Sequence, residues 1–394
     1  PEIKDDLREY IKQISKELKT HNMQNNFYQP PNESQNRYYV SGPQYQQAFT
    51  PATIPPDYFR QIRKNQEKEL VKTGLIIGAT LLSMLAVQFI EAIVLQLTGI
   101  YSSAAFKTST AQNLFNAVGG HILSIFLPFL IMALLSKKRF VTPVVPRKKI
   151  APSKAVAWIC FGMGCCIAAD YLVALLSTIA SNNGYKLTQN TLPSANSVIS
   201  CIAEILSTIL LPAIIEEFAF RCCSLGVLRK YGKAFGVVVV SIIFGTIHAN
   251  IIQFIFATCV GLILGYITVK TDNVIIAMIV HGLNNSLSVI GDITDYISSS
   301  NTLGDKISTA IMLIWPVLGV FGMIYLITRD GLFKSKYSMY PKQVRKQIKK
   351  SEKAAISANP YVLPLASKIL CILPGFLLFA PYFIYSIIAT IIKQ

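Results

Sequence analysis

Long apolar stretches constrain the fold of this chain more than any other feature of its sequence. A membrane-spanning helix needs about 20 mostly apolar residues, and nine stretches approach or exceed that length. Only 14% of the 394 residues are charged, against about 25% in soluble domains. The sequence therefore predicts an all-α, polytopic membrane bundle of eight or nine transmembrane helices. The stretches are 74–98, 114–135, 155–180, 197–216, 234–250, 252–269, 273–290, 307–328 and 369–391.

The basic residues are distributed unevenly between the loops. A net charge of +17 would suggest nucleic-acid binding in a soluble protein, but here Lys and Arg concentrate in every second loop. The alternate loops 99–113, 181–196 and 291–306 contain few of them. Cytoplasmic loops carry this excess, which predicts that the N-terminus is cytoplasmic. We expect the membrane to be the plasma membrane. We expect the basic loops to contact anionic lipid, and we expect no nucleic-acid partner.

Composition divides the chain into four parts. Residues 1–70 are polar and rich in Gln, Asn, Tyr and Pro, a composition that predicts a disordered cytoplasmic tail. Residues 71–330 are expected to form the transmembrane bundle and 331–365 a basic cytoplasmic loop. Residues 366–394 are expected to add a C-terminal transmembrane helix.

Two adjacent carboxylates, Glu216 and Glu217, stand at the end of an apolar stretch and are followed by Arg221. An ionisable group in hydrocarbon is costly and indicates a functional site. Helical spacing places Glu217 one turn from Arg221, so the two can pair. Glu216 points about 100° away from Glu217 and needs a partner from another segment, for which histidine is the candidate. The stretch 197–216 predicts a fourth span that ends close to Glu216, at the cytoplasmic side.

Two further patterns follow on later stretches. Phe244 and His248 form Phe-x-x-x-His, and His281 and Asn285 form His-x-x-x-Asn. A glutamate near a histidine can hold and deprotonate a water molecule, while histidine and asparagine can donate hydrogen bonds to an oxyanion. The same glutamate and histidines can instead bind a divalent metal that activates the water. The residues leave both mechanisms open.

Helix rise creates a conflict in depth between these residues. Counted from the nearest basic loop, His248 would lie about 20 Å into the membrane and His281 about 12 Å, with Glu216 close to the surface. A shared site requires similar depths. Either the fifth span begins later than expected or the helices are strongly tilted.

Other polar residues also fall within the apolar stretches. Glu91, His121 and Asp170 are expected to face the bundle interior as groups hydrogen-bonded between helices rather than as catalysts. Glu204 lies three turns before the paired carboxylates. We expect Glu204 to lie near the outer membrane–water interface, where it would need no partner.

Together the patterns Glu-Glu-x-x-x-Arg, Phe-x-x-x-His and His-x-x-x-Asn resemble the CPBP family of intramembrane proteases. That family includes type II CAAX prenyl endopeptidases and bacteriocin-processing or self-immunity (Abi) proteins. The resemblance covers roughly residues 155–290. It implies hydrolysis of a peptide bond in a membrane-associated or lipidated protein substrate.

The resemblance also implies roles for individual residues. Glu216 would act as general base, aided by His248, and His281 with Asn285 would stabilise the oxyanion. The site's geometry would be held by two structural residues, Glu217 and Arg221. The cofactor would be either none or a divalent metal such as zinc, and a metal would be bound by Glu216, His248 and His281.

Two other functions are compatible with the sequence. The chain could be a non-catalytic bacteriocin self-immunity or scaffold protein, whose function would survive substitution of Glu216. Alternatively, Glu91, Asp170 and Glu216 could line the path of an ion-coupled transporter.

Overall fold

A computed structural model shows a helical membrane bundle. Eight helices of the described residues are long and apolar enough to cross a membrane, which confirms an all-α, multi-pass membrane protein. The structure describes residues 56–135, 149–187, 194–298, 302–329, 331–332, 346 and 363–393. The spans are α1 (Pro56–Leu97), α2 (Ser109–Leu135), α3 (Pro152–Asn182), α4 (Val198–Tyr231), α6 (Ile251–Thr271), α7 (Val274–Ser298), α8 (Leu303–Thr328) and α9 (Leu365–Ala389). A shorter apolar helix, α5 (Lys233–Thr246), lies between α4 and α6.

Short irregular elements interrupt or follow these helices. A 3-10 turn at Ile100–Ser102 follows α1. Strands β1 (Tyr185–Leu187) and β2 (Ile391–Lys393) pair antiparallel. Three π-helical segments are present in α2 and α4. This type of turn is rare in proteins, but where it occurs it is often at a functional site. They are Asn116–Phe126 in α2, and Ile205–Leu210 and Glu217–Ser224 in α4.

Two expected boundaries differ from the structure. Helix α1 begins at Pro56, so residues 56–70 are helical rather than part of a disordered tail, while residues 1–55 lie outside the described residues. The fourth span does not end near Glu216, because α4 continues to Tyr231 and places Glu216 near its middle. The helix can continue because the charges that follow Glu216 are buried as a pair.

The continuation of α4 to Tyr231 and the short helix α5 bring Glu216 and His248 to similar depths. The 14 residues of α5 span about 21 Å, less than the roughly 30 Å of the hydrocarbon core. Arg229 near the end of α4 pairs with Asp272 between α6 and α7, with Nη1 and Oδ1 3.1 Å apart, so these two connections lie at the same end of the bundle. Helix α5 starts at that end and stops inside the bundle, where His248 follows it.

Two buried clusters hold the helices around the site. One contains Phe129, Phe220 and Phe244 and joins α2, α4 and α5. The other, with Trp158 and Leu264 among its members, joins α3, α6 and α7. The candidate catalytic side chains lie between these two clusters.

The C-terminal helix α9 packs closely on α1. A Cβ atom on Gly375 of α9 would collide with the backbone of Gly74 in α1. Small residues of this kind let membrane helices approach each other. The other domain divisions, the cytoplasmic side of the N-terminus and the location in the plasma membrane remain predictions.

Candidate functional site

Glu216 is a buried carboxylate between two histidines. It is 6% exposed, and no hydrogen bond to it is found within the described part of the chain. His281 Nε2 lies 3.7 Å from Oε2, and His121 Nδ1 lies 3.8 Å from Oε1. These separations are too long for direct hydrogen bonds and suit a bridging water molecule. The expectation that Glu216 finds its partners on other segments therefore holds.

The neighbouring carboxylate, Glu217, has a different environment. It is fully buried, and its Oε1 lies 2.8 Å from Arg221 Nη1, as helical spacing predicts. The same oxygen accepts a hydrogen bond from His281 Nδ1 at 2.9 Å. Nδ1 of His281 therefore carries the donated proton. The other ring nitrogen, Nε2, is turned toward Glu216. Glu217 thus orients the histidine that faces its neighbour.

Phe244 connects the three sequence motifs. The guanidinium carbon of Arg221 lies 4.7 Å from the centre of its ring, a cation–π distance. The same ring makes edge-to-face contacts with His248 and His281, with centroids 5.1 and 5.8 Å away. The aromatic residue of the second motif therefore packs against the arginine of the first and the histidine of the third.

His248 lies in the tight turn that follows α5. Its Nδ1 donates to the carbonyl oxygen of Phe244 at 2.8 Å, leaving Nε2 free. The next residue, Ala249, has a φ of 51°, a left-handed conformation that non-glycine residues rarely adopt. Gly245 brings α5 against α6, because a Cβ atom there would collide with the Thr258 hydroxyl. This strained turn sets the position of His248.

One of the two histidines beside Glu216, His121, was not expected there. No ion pair joins His248 to Glu216 among the described side chains, and His121 of α2 occupies that place. His121 is 8% exposed, and both of its ring nitrogens lack a hydrogen-bond partner. From sequence, His121 is expected to be a hydrogen-bonded packing residue, although the cost of an ionisable group within the membrane is a signal that points to the site.

Asn285 faces the same cavity as the histidines but is already engaged. Its Nδ2 donates to the carbonyl oxygen of Thr208 at 2.9 Å, in the first π segment of α4. One amide hydrogen of Asn285 remains for another acceptor. The neighbouring Asn284 is 7% exposed, and its Oδ1 has no partner.

These side chains line one large cavity of about 1530 Å³, against about 300–1,000 Å³ for typical ligand pockets. It extends from the exposed residues Tyr101 and Lys107 at one end of the bundle to Glu216. Within α4 the lining runs from Glu204 to Glu216. The candidate site residues in the lining are His121, Glu216, His248, His281, Asn284 and Asn285.

The proposed metal ligands do not converge. Over the described residues, no group of three His, Cys, Asp or Glu side chains is placed to hold a metal ion. Glu216, His248 and His281, as arranged here, therefore do not fit the ligand shell of zinc.

The comparison with known families agrees with the sequence resemblance. Residues 198–287 match the family model described as Rce1-like, Type II CAAX prenyl endopeptidase Rce1-like. No curated protein and no solved structure matches the chain. The matched range contains all six site residues expected from the three motifs, whereas His121 lies outside it. Those six are Glu216, Glu217, Arg221, His248, His281 and Asn285.

Proposed function

We propose that this protein is an intramembrane endopeptidase that hydrolyses a peptide bond in a membrane-associated or lipidated substrate. The observation that carries the proposal is the Glu216 carboxylate, which is buried without a hydrogen-bond partner between two histidines at the end of a large cavity. The Rce1-like match of residues 198–287 supports the same class of reaction.

In this mechanism Glu216 acts as the general base. A water molecule between its carboxylate and the histidines gives a proton to Glu216, and the resulting hydroxide attacks the carbonyl carbon of the substrate. The tetrahedral intermediate then expels the amine, and Glu216 returns the proton to the leaving nitrogen. The free amide hydrogen of Asn285 is available to donate to the developing oxyanion.

The other charged residues hold this arrangement. Glu217 Oε1 accepts a hydrogen bond from His281 Nδ1 and also pairs with Arg221, which fixes the imidazole orientation. His121 contacts the opposite oxygen of Glu216. Together the two histidines confine the water on both sides of the carboxylate.

His121→Ala is expected to lower the cleavage rate about 100-fold, the lower end of a general acid–base contribution. The reason is that the water loses one of the two groups that position it, and a change in the pH–rate profile should accompany the loss. The measurement is the cleavage rate of the purified variant across pH. Leu123→Ala on the same helix is the control, because Leu123 is 39% exposed and lies outside the cavity lining. A His121→Ala variant with wild-type rate and pH profile contradicts this role.

The proposed function is tested by comparing peptide termini in membranes of cells that carry the wild type or Glu216→Gln at matched expression. This comparison works without a known substrate, because every peptide terminus in the membrane is measured. We expect a set of termini to vanish in the variant and thereby to identify the substrate. Identical termini in both cell lines would refute the protease and favour the self-immunity or scaffold alternative.

A further inference from the structure

The cavity carries a charge opposite to that of the whole protein. The chain has a net charge of +17, yet one lysine, Lys107, and no arginine occur in the cavity lining that the structure describes. The carboxylates in the lining are Glu91, Asp170, Glu204, Glu216 and Asp292. A cleft lined by one sign of charge with low-dielectric walls attracts ligands of the opposite sign.

Glu204 and Asp292 form the part of this lining without a counter-charge. Glu204 is 7% exposed, and its Oε2 has no hydrogen-bond partner among the described residues. Asp292 of α7 lines the same cavity. No lysine or arginine in the described ranges forms an ion pair with either residue. Two carboxylates so placed require a cation or a proton to offset their repulsion.

Asn284 provides an independent observation from the same cavity. Asn284 lines it with a buried Oδ1 that has no partner, and its amide nitrogen is directed to Asn285 Oδ1 at 3.4 Å. Buried acceptors are normally satisfied. Asn284 Oδ1 therefore calls for a donor, and the carboxylates of the same lining favour a positively charged one.

We propose that Glu204 and Asp292 bind the cationic side chain, lysine or arginine, of the peptide that the protease cleaves. This inference rests on the proposed function. Glu204 precedes Glu216 by twelve residues in α4, a separation of about 18 Å along the helix. An extended peptide covers about 3.3–3.6 Å per residue, so the cationic residue lies about five residues from the bond that is cut.

Binding tests the inference independently of cleavage. The Glu216→Gln protein in lipid nanodiscs is incubated with a pool of ten-residue Ala/Leu peptides that each carry a single lysine, and with a matched pool that carries glutamine instead. We expect the lysine peptides to be retained roughly tenfold more, with the difference shrinking as salt screens the charges. Adding Glu204→Gln and Asp292→Asn should remove the preference.

Asp295→Asn is the matched control on the same helix. Asp295 accepts a hydrogen bond from Gly304 N at 2.7 Å and is absent from the cavity lining, so the lysine preference should persist in that variant. Equal retention of the two pools, or a preference that survives loss of both Glu204 and Asp292, overturns the cation site.

The comparison of peptide termini between wild type and Glu216→Gln shows whether the cation site or the protease function is wrong. Termini that depend on Glu216 and carry lysine or arginine about five residues from the cut, as the extended-chain length predicts, support both. Glu216-dependent termini without such a residue leave the protease and refute the cation site. Lysine-selective binding without any Glu216-dependent terminus leaves the cation site and refutes the protease.

Discussion

Glu216→Gln should lower the rate of peptide cleavage by about 10³-fold or more, within the range of a lost general base. The amide has nearly the shape of the carboxylate but cannot accept the proton of the attacking water. Stability should not fall, because the described part of the chain makes no hydrogen bond to Glu216 that the amide would lose, and burying a charged group costs free energy in the folded protein. The measurements are the cleavage rate of the purified variant and its thermal unfolding in the same detergent.

Asp305→Asn provides the control for this substitution. Asp305 is an exposed carboxylate in the first turn of α8 and lies outside the cavity lining, so the cleavage rate should be unchanged. A Glu216→Gln variant that cleaves at the wild-type rate rules out Glu216 as the base. A variant that unfolds at markedly lower temperature assigns Glu216 a structural role instead.

Glu217→Ala, unlike Glu216→Gln, is expected to destabilise the protein. The free energy of unfolding should fall by about 3–5 kcal/mol. The substitution leaves the Arg221 guanidinium buried without its counter-ion and removes the acceptor of His281 Nδ1. Denaturant unfolding of the variant and the wild type in the same detergent measures the difference. Wild-type stability in Glu217→Ala would contradict the ion pair as a structural element.

A double variant separates the structural from the orienting role of Glu217. Glu217→Leu combined with Arg221→Leu should recover most of the lost stability, because removing both charges of a buried pair is often neutral. Cleavage should stay impaired, since His281 no longer has an acceptor that fixes its Nδ1 proton. Recovery of both stability and activity would show that the orientation of His281 does not depend on Glu217.

The sequence by itself determined the features that depend on local spacing. Apolar stretches of spanning length predicted the membrane bundle, since every backbone polar group in lipid must be satisfied within a helix. The spacing of four residues predicted the pair of Glu217 and Arg221. The three motifs predicted the Rce1-like match of residues 198–287. Each of these inferences concerns residues within one helix or one short pattern.

Only the tertiary structure decided which side chains from different helices meet. His121 has no fixed spacing to Glu216, and its place beside that carboxylate depends on how α2 packs against α4. The position of His248 depends on a helix that ends within the bundle and on a left-handed Ala249, neither of which hydropathy predicts.

The directions of the Glu204 and Glu216 side chains show why contacts between helices cannot be read from spacing alone. In a regular α-helix, residues twelve apart point about 120° away from each other, so one cavity would not be expected to receive both side chains. The π segment Ile205–Leu210 lies between them, and one extra residue in a turn offsets the direction by about 100°. Both carboxylates consequently line the same cavity. Such π segments form where neighbouring helices provide contacts, as Asn285 does for the Thr208 carbonyl, and these contacts exist only in the folded bundle.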